Sequence, residues 1–147
     1  MKKYRFKLET LLKYRTSIED IKSLELADAI RKYENQQRYI NQLKSERGNC
    51  QKDFSVEQSH GISASQMTFY TNYIEELDAK IRDDTTTLKA LHEQVEKKRQ
   101  DFLEARKQRR VVEELKSSDF ARYLKEMTRL EQLFIDEIAS NQFGIRN

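Results

Sequence analysis

The sequence predicts an all-α protein, a long two-helix antiparallel coiled-coil hairpin with a C-terminal helical overhang. Three observations carry this. Proline is absent and glycine occurs three times, at Gly48, Gly61 and Gly144, so long uninterrupted helices are permitted. Hydrophobic residues make up 37% and charged residues 36%, against roughly 45–50% and 25% in ordinary globular domains. Such a chain cannot fill a thick core, but it can fill a narrow seam that needs only two apolar positions per heptad. Finally, apolar residues recur at a sustained 3-4 spacing, and only one of its interruptions, near Gly61, looks like a turn between helices.

The first helix is expected over about 5–57. Leu26, Ala29, Tyr33, Gln36, Ile40, Leu43, Arg47, Cys50 and Phe54 alternate in steps of three and four. Upstream, Leu8, Leu11, Tyr14, Ile18 and Ile21 form a second run, with a phase slip between Ile21 and Leu26. Gly48 is no boundary, because the spacing continues through it to Cys50 and Phe54.

The turn is expected at about 58–62, where the periodicity lapses and Gly61 can end a helix. Ser63 and Gln66 have capping-box spacing, and Ile62 and Met67 stand where a hydrophobic staple would form.

The second helix is expected over about 63–140. Met67, Tyr70, Ile74, Leu77, Ile81, Asp84, Leu88, Leu91, Val95, Lys98, Phe102, Ala105, Arg109 and Val112 keep the seven-residue repeat of a left-handed coiled coil. A turn near 60 places position i beside one close to 120 − i. Phe54 then meets Met67, Leu43 meets Leu77, Tyr33 meets Leu88, and the polar pair Gln36 and Asp84 lands opposite itself. A polar seam layer fixes register at some cost in stability.

The phase is lost at Leu115–Phe120, and a new stripe follows: Phe120, Tyr123, Met127, Leu130, Phe134 and Ile138. This stretch is expected to be an overhang without an intrachain partner, and the last residues, Phe143–Asn147, are expected to fray. The whole, 1–147, reads as a single coiled-coil domain. A helix of this length is on the order of 115 Å, so a rod is expected.

The chemistry that the residues exclude narrows the function. His60 and His92 lie far apart in the hairpin, and no His, Cys and acidic residues share metal-ligand spacing. There is no nucleophile elbow, P-loop or dinucleotide fingerprint. No enzyme activity and no cofactor are expected. Cys50 is the sole cysteine, so no intramolecular disulfide can form, which suits a reducing cytoplasm. No signal peptide is expected, and no run approaches the ~20 apolar residues that span a bilayer. Any membrane association would be peripheral.

A net charge of +3, from 28 basic and 25 acidic residues, falls short of a nucleic-acid footprint. The basic residues are nonetheless clustered. Lys97–Arg99, Arg106, Lys107, Arg109 and Arg110 share one end of the hairpin with Lys2, Lys3, Arg5, Lys7, Lys13 and Arg15. Each alone is an ordinary solvated residue. Together they form a patch that could dock an acidic protein surface or anionic lipid. Candidate partner contacts are Arg106, Lys107, Arg109 and Arg110, the stripe Tyr123, Met127, Leu130, Phe134 and Ile138, and the flanking aromatics Phe69 and Tyr73. Exposed aromatics concentrate binding energy.

A family pattern joins these features. Phe6-Lys7-Leu8-Glu9-Thr10-Leu11-Leu12-Lys13-Tyr14-Arg15 resembles the opening F-x-L-x-x-L-L-x-x-R of FliJ-type flagellar export proteins. Gly61-Ile62-Ser63 with Tyr70, Ile74, Leu77 and Ile81 resembles the start of their second helix. Val112–Lys116, Glu131-Gln132 and Asp136–Ala139 resemble their C-terminal pattern. The resemblance implies a small cytoplasmic coiled-coil hairpin, similar to the stalk of rotary ATP synthases. It implies association with the hexameric flagellar export ATPase, its regulator, the export-gate membrane protein and export chaperones, at the inner face of the cell membrane. Secretion of flagellar proteins, motility and chemotaxis would depend on it, and some members have been called general chaperones. The alternatives are an injectisome stalk, an unrelated coiled-coil adaptor, or a nucleic-acid or membrane-surface binder using the basic end.

Overall fold

In the computed structural model, residues 2–146 are described, save the side chain of Arg146. Two α-helices pack against each other as a helical hairpin: α1 (Glu9–His60) and α2 (Ala64–Arg146). No strand occurs among the described residues. The packing clusters into two compact units, Met1–Ile21 with Leu103–Asn147, and Lys22–Phe102.

The turn follows from its residues. Gly61 takes φ 85°, the left-handed conformation that closes α1 without a Cβ penalty. Its N–H donates to the Gln58 carbonyl at 3.2 Å. Ser63 and Gln66 form the reciprocal capping box: the Gln66 N–H donates to Ser63 Oγ, and the Ser63 N–H to Gln66 Oε1, both at 3.2 Å. Because α1 runs on to His60 and α2 starts at Ala64, the hairpin's mirror point is residue 62 rather than 60. Position i faces residues from about 120 − i to about 124 − i, so the expected register holds at Gln36 with Asp84 and is passed by up to one helical turn at Phe54 and Tyr33. Phe54 stacks on Tyr70, with ring centroids 5.2 Å apart, and Tyr33 lies against His92 at 5.7 Å. The polar layer keeps its expected partners. Gln36 Nε2 reaches the Asp84 backbone carbonyl at 3.1 Å, which leaves Asp84 Oδ2 buried with no hydrogen-bond partner.

In the unit Lys22–Phe102, the buried apolar residues are Ala29, Ile40, Leu43, Leu77 and Val95. Each occupies a seam position of the 3-4 pattern, and the remaining seam residues from Leu26 to Phe54 and from Tyr70 to Phe102 are all at least half-buried. Gly48 lies within the helix, as its spacing required. The polar seam residues Arg47 and Lys98 make ion pairs between the helices, Arg47 with Asp78 and Lys98 with Glu25, the latter at 3.2 Å. The Lys98 hydrogen bond holds the Glu25 carboxyl below the usual carboxylate range.

In the unit formed by the two ends, Ala105 and Val112 are buried. Here the upstream run holds only in part: Leu11 and Ile18 are half-buried, as expected, and Leu8 is exposed. Tyr14 is 57% exposed and Ile21 49%, whereas Leu12, Arg15 and Glu19 are half-buried. Leu12 and Glu19 stand seven-residue steps back from Leu26, and Arg15 a two-heptad step back from Ala29. The phase of α1 therefore does not slip; polar residues occupy the seam. They can do so because they are partnered across it: Arg15 with Gln108, Glu19 with Arg109, and Glu9 with Lys116 at 2.8 Å.

The ends of both helices also differ from the expected bounds. Residues 2–6 are not helical, and α1 starts at Glu9 rather than near 5. Tyr4 and Phe6 are half-buried while Lys3, Arg5 and Lys7 are exposed, a period of two that a helix cannot serve. The Tyr4 ring packs on Phe120 at 5.0 Å and Tyr123 at 5.3 Å. Its hydroxyl donates to Asp119 Oδ2 at 3.2 Å. The first turns of the overhang thus have an intrachain partner, contrary to expectation. α2 then continues through Arg146, past the expected end near 140, since loss of a partner surface removes no backbone hydrogen bond from a helix. Phe143 to Arg146, where fraying was expected, are part of α2; Asn147 lies outside the described residues.

Candidate interaction surfaces

Of the four basic candidates on α2, two are exposed, one is half-buried and one is engaged with α1. Lys107 and Arg110 are exposed and Arg106 is half-buried. The Arg109 side chain is only 20% exposed and pairs with both Glu19 of α1 and Glu113 one turn on. The Glu19 hydrogen bond raises the guanidinium's pKa above its usual value. Arg109 therefore joins the helices, and the available charge resides on Arg106, Lys107 and Arg110. Lys3, Arg5, Lys7 and Lys13 of the same unit are exposed and add to it.

The stripe on α2 is graded along its length. Tyr123 is half-buried, and its hydroxyl donates to the Lys2 carbonyl at 2.9 Å. Met127 is half-buried, whereas Leu130, Phe134 and Ile138 are exposed, Phe134 at 64%. Tyr123, Met127, Leu130 and Phe134 line a groove of about 510 Å³, with Lys2, Glu126 and Glu131 at its borders. Leu124 and Ile135 are exposed beside this stripe and widen it.

Phe69 and Tyr73 lie in the other unit. Phe69 is 70% exposed. Tyr73 is half-buried, and its hydroxyl donates to Glu46 Oε1 at 3.1 Å. Together with Tyr70, Cys50, Glu46 and Asp53 they line a hollow of about 340 Å³. Burial pushes the Cys50 thiol up, away from reactivity. No group of His, Cys, Asp and Glu among the described residues is placed to hold a metal ion.

Two features escaped the sequence pattern. One is the docking of Lys2–Phe6 on α2, whose only sign was the alternation Lys3, Tyr4, Arg5, Phe6, Lys7. The other is the acidity of the overhang. Between 130 and 145 the chain has Glu131, Asp136 and Glu137 and no lysine or arginine.

No helix among the described residues is long and apolar enough to cross a membrane. No curated protein matches the chain significantly. Among solved structures, the fold is similar to a putative YscO homologue from Chlamydia trachomatis, with a TM-score of 0.65 and 18% identity, covering 98% of each chain. At that identity the likeness is one of fold. The family model of the flagellar FliJ protein matches residues 4–147, nearly the whole sequence that opens with the F-x-L-x-x-L-L-x-x-R pattern. The chain belongs to the FliJ family of type III export-associated flagellar proteins.

Proposed function

We propose that this chain is a non-enzymatic stalk and adaptor of the flagellar export apparatus. It binds the hexameric export ATPase and links it to the ATPase regulator, the export-gate membrane protein and the export chaperones. It works in the cytoplasm, peripheral to the membrane, and flagellum assembly, motility and chemotaxis depend on it. The observation that carries this reading is the pairing of exposed basic residues with an exposed apolar stripe on one helix, α2, of a FliJ-family chain. Arg106, Lys107 and Arg110 supply long-range attraction to an acidic ring surface, and Leu130, Phe134 and Ile138 supply desolvated contact. Phe69 and Tyr73, in the other unit, supply a second surface for a different partner.

The test is stimulation of the purified export ATPase by the full chain. The triple variant R106E/K107E/R110E is expected to lose stimulation while keeping its helix content. Undiminished stimulation would overturn the assignment of the basic surface. A nucleic-acid or lipid binder acting through the basic residues would instead bind polyanions, with affinity falling steeply from low to moderate salt. Gene neighbourhood separates an injectisome stalk from a flagellar one.

A further inference from the structure

The open part of the groove on α2 has a chemistry that neither the family match nor the basic surface describes. Helical spacing sets acids along its apolar stripe. Glu131 stands four residues after Met127 and three before Phe134, Glu126 four before Leu130, and Glu137 three after Phe134. Glu126 and Glu131 border the groove itself. Arg129 pairs with Glu126 at 2.5 Å. It lies two residues from Met127, as Lys125 does, and positions two apart do not share a helix face. The stripe is thus apolar in the middle, with Glu131 and Glu137 along its borders, Glu126 paired to Arg129, and Lys2 at its inner end.

The chain's own occupant of the adjoining surface has the complementary character. Residues 2–7, Lys-Lys-Tyr-Arg-Phe-Lys, set Tyr4 against Phe120 and Tyr123 and keep Lys3, Arg5 and Lys7 outside. This contact ends at Tyr123, where Lys2 sits at the mouth of the groove. Beyond it, Leu130, Phe134 and Ile138 are exposed.

We propose that the groove over Met127, Leu130 and Phe134, bordered by Glu126 and Glu131 and continued along α2 by the exposed Ile138 and Glu137, binds a basic amphipathic helix of a partner protein. The inference rests on reading the overhang as a partner surface, and adds the chemistry of the partner. A helix is required because α2 offers no strand edge, so an extended peptide would leave its amides unpaired on burial. A basic flank is required because Glu131 and Glu137, without an ion pair among the described residues, lose water when covered and need a cation to compensate, whereas Glu126 already has Arg129. A second copy of this chain is the wrong occupant, since two such faces would bring acids against acids.

The probe is an 18-residue labelled peptide of leucine and lysine at helical amphipathic spacing, with a leucine and glutamate counterpart of equal hydrophobicity. Fluorescence anisotropy with the full chain at moderate salt is expected to show the lysine peptide binding at least about tenfold more tightly, a difference of roughly 1.4 kcal/mol. F134A and the double variant E131K/E137K are each expected to weaken it by about tenfold or more, whereas E75K/E76K in the other unit leaves it unchanged. Equal binding of the two peptides, no binding, or an equal loss in E75K/E76K overturns the proposal. So does light scattering that shows a dimer which F134A returns to monomer. These outcomes involve no ATPase, so they stand apart from failure of the stimulation test.

Discussion

Replacing Leu43 by alanine tests whether a seam only two helices wide holds this hairpin together. Leu43 is 5% exposed and Leu77, on the facing helix, 6%. The substitution removes three buried carbons at about 0.8 kcal/mol each, or about 2.4 kcal/mol of transfer free energy. A deep globular core would add a cavity penalty, taking the total toward about 5 kcal/mol. Here the seam is open to water along both flanks, so neighbouring side chains can close over the gap. The expected cost is therefore about 2–3 kcal/mol, or roughly 5–10 °C in unfolding midpoint for a chain of this size. Leu24 is the control. It is 72% exposed, and its alanine variant is expected to stay within about 0.5 kcal/mol. Circular dichroism at 222 nm through urea and thermal melts reads both. If L24A costs as much as L43A, burial in the seam is not what stabilises the hairpin, and the argument fails.

The two glycines of the hairpin should respond with opposite signs. A Cβ at Gly48 meets no atom within 4 Å, so G48A is expected to stabilise by about 0.5–1 kcal/mol through helix propensity. G61A at φ 85° is expected to destabilise by about 1–2 kcal/mol, in the same melts. S63A removes the Oγ that accepts the Gln66 N–H and should cost about 1 kcal/mol, with restoration by S63D. R109E sets three carboxylates together and should lower the unfolding midpoint, whereas R110E, which is exposed, should leave it unchanged; equal effects would refute the structural role of Arg109. For pH dependence, Glu25 has a folded-state pKa lowered first by its Lys98 hydrogen bond. Its contribution is full above the unfolded carboxylate range and is lost as pH falls through the folded value. E25Q should therefore flatten the acid limb of stability against pH, and an unaltered limb would refute the pairing.

The order of helix, turn and helix was legible because it depends on local chemistry. Absence of proline, the left-handed glycine at Gly61 and the Ser63–Gln66 box each act over a few residues, so their effects can be read in one dimension. The seam from Leu26 to Phe54 and from Tyr70 to Val112 was legible because a seven-residue apolar repeat has one geometric solution. What escaped was whatever depends on a distant partner. Arg15 and Glu19 look like surface residues until Gln108 and Arg109 stand opposite, and Tyr14 and Ile21 look like core until the phase of α1 turns them outward. That Phe54 meets Tyr70 rather than Met67 depended on where the turn is centred, which a run of polar residues does not mark.

The candidate surfaces divide in the same way. Local spacing was enough to bring Tyr123, Met127, Leu130 and Phe134 onto one face, because helical periodicity is a property of the segment itself. That Arg109 is committed to Glu19, that Tyr4 covers the first turns beyond Val112, and that the groove opens only past Tyr123 were decided by tertiary structure. The sequence alone determined the hairpin and its seam, since helix period and capping are short-range. Packing alone determined which charges are free and which apolar residues remain bare, since availability is defined by what another part of the chain already covers.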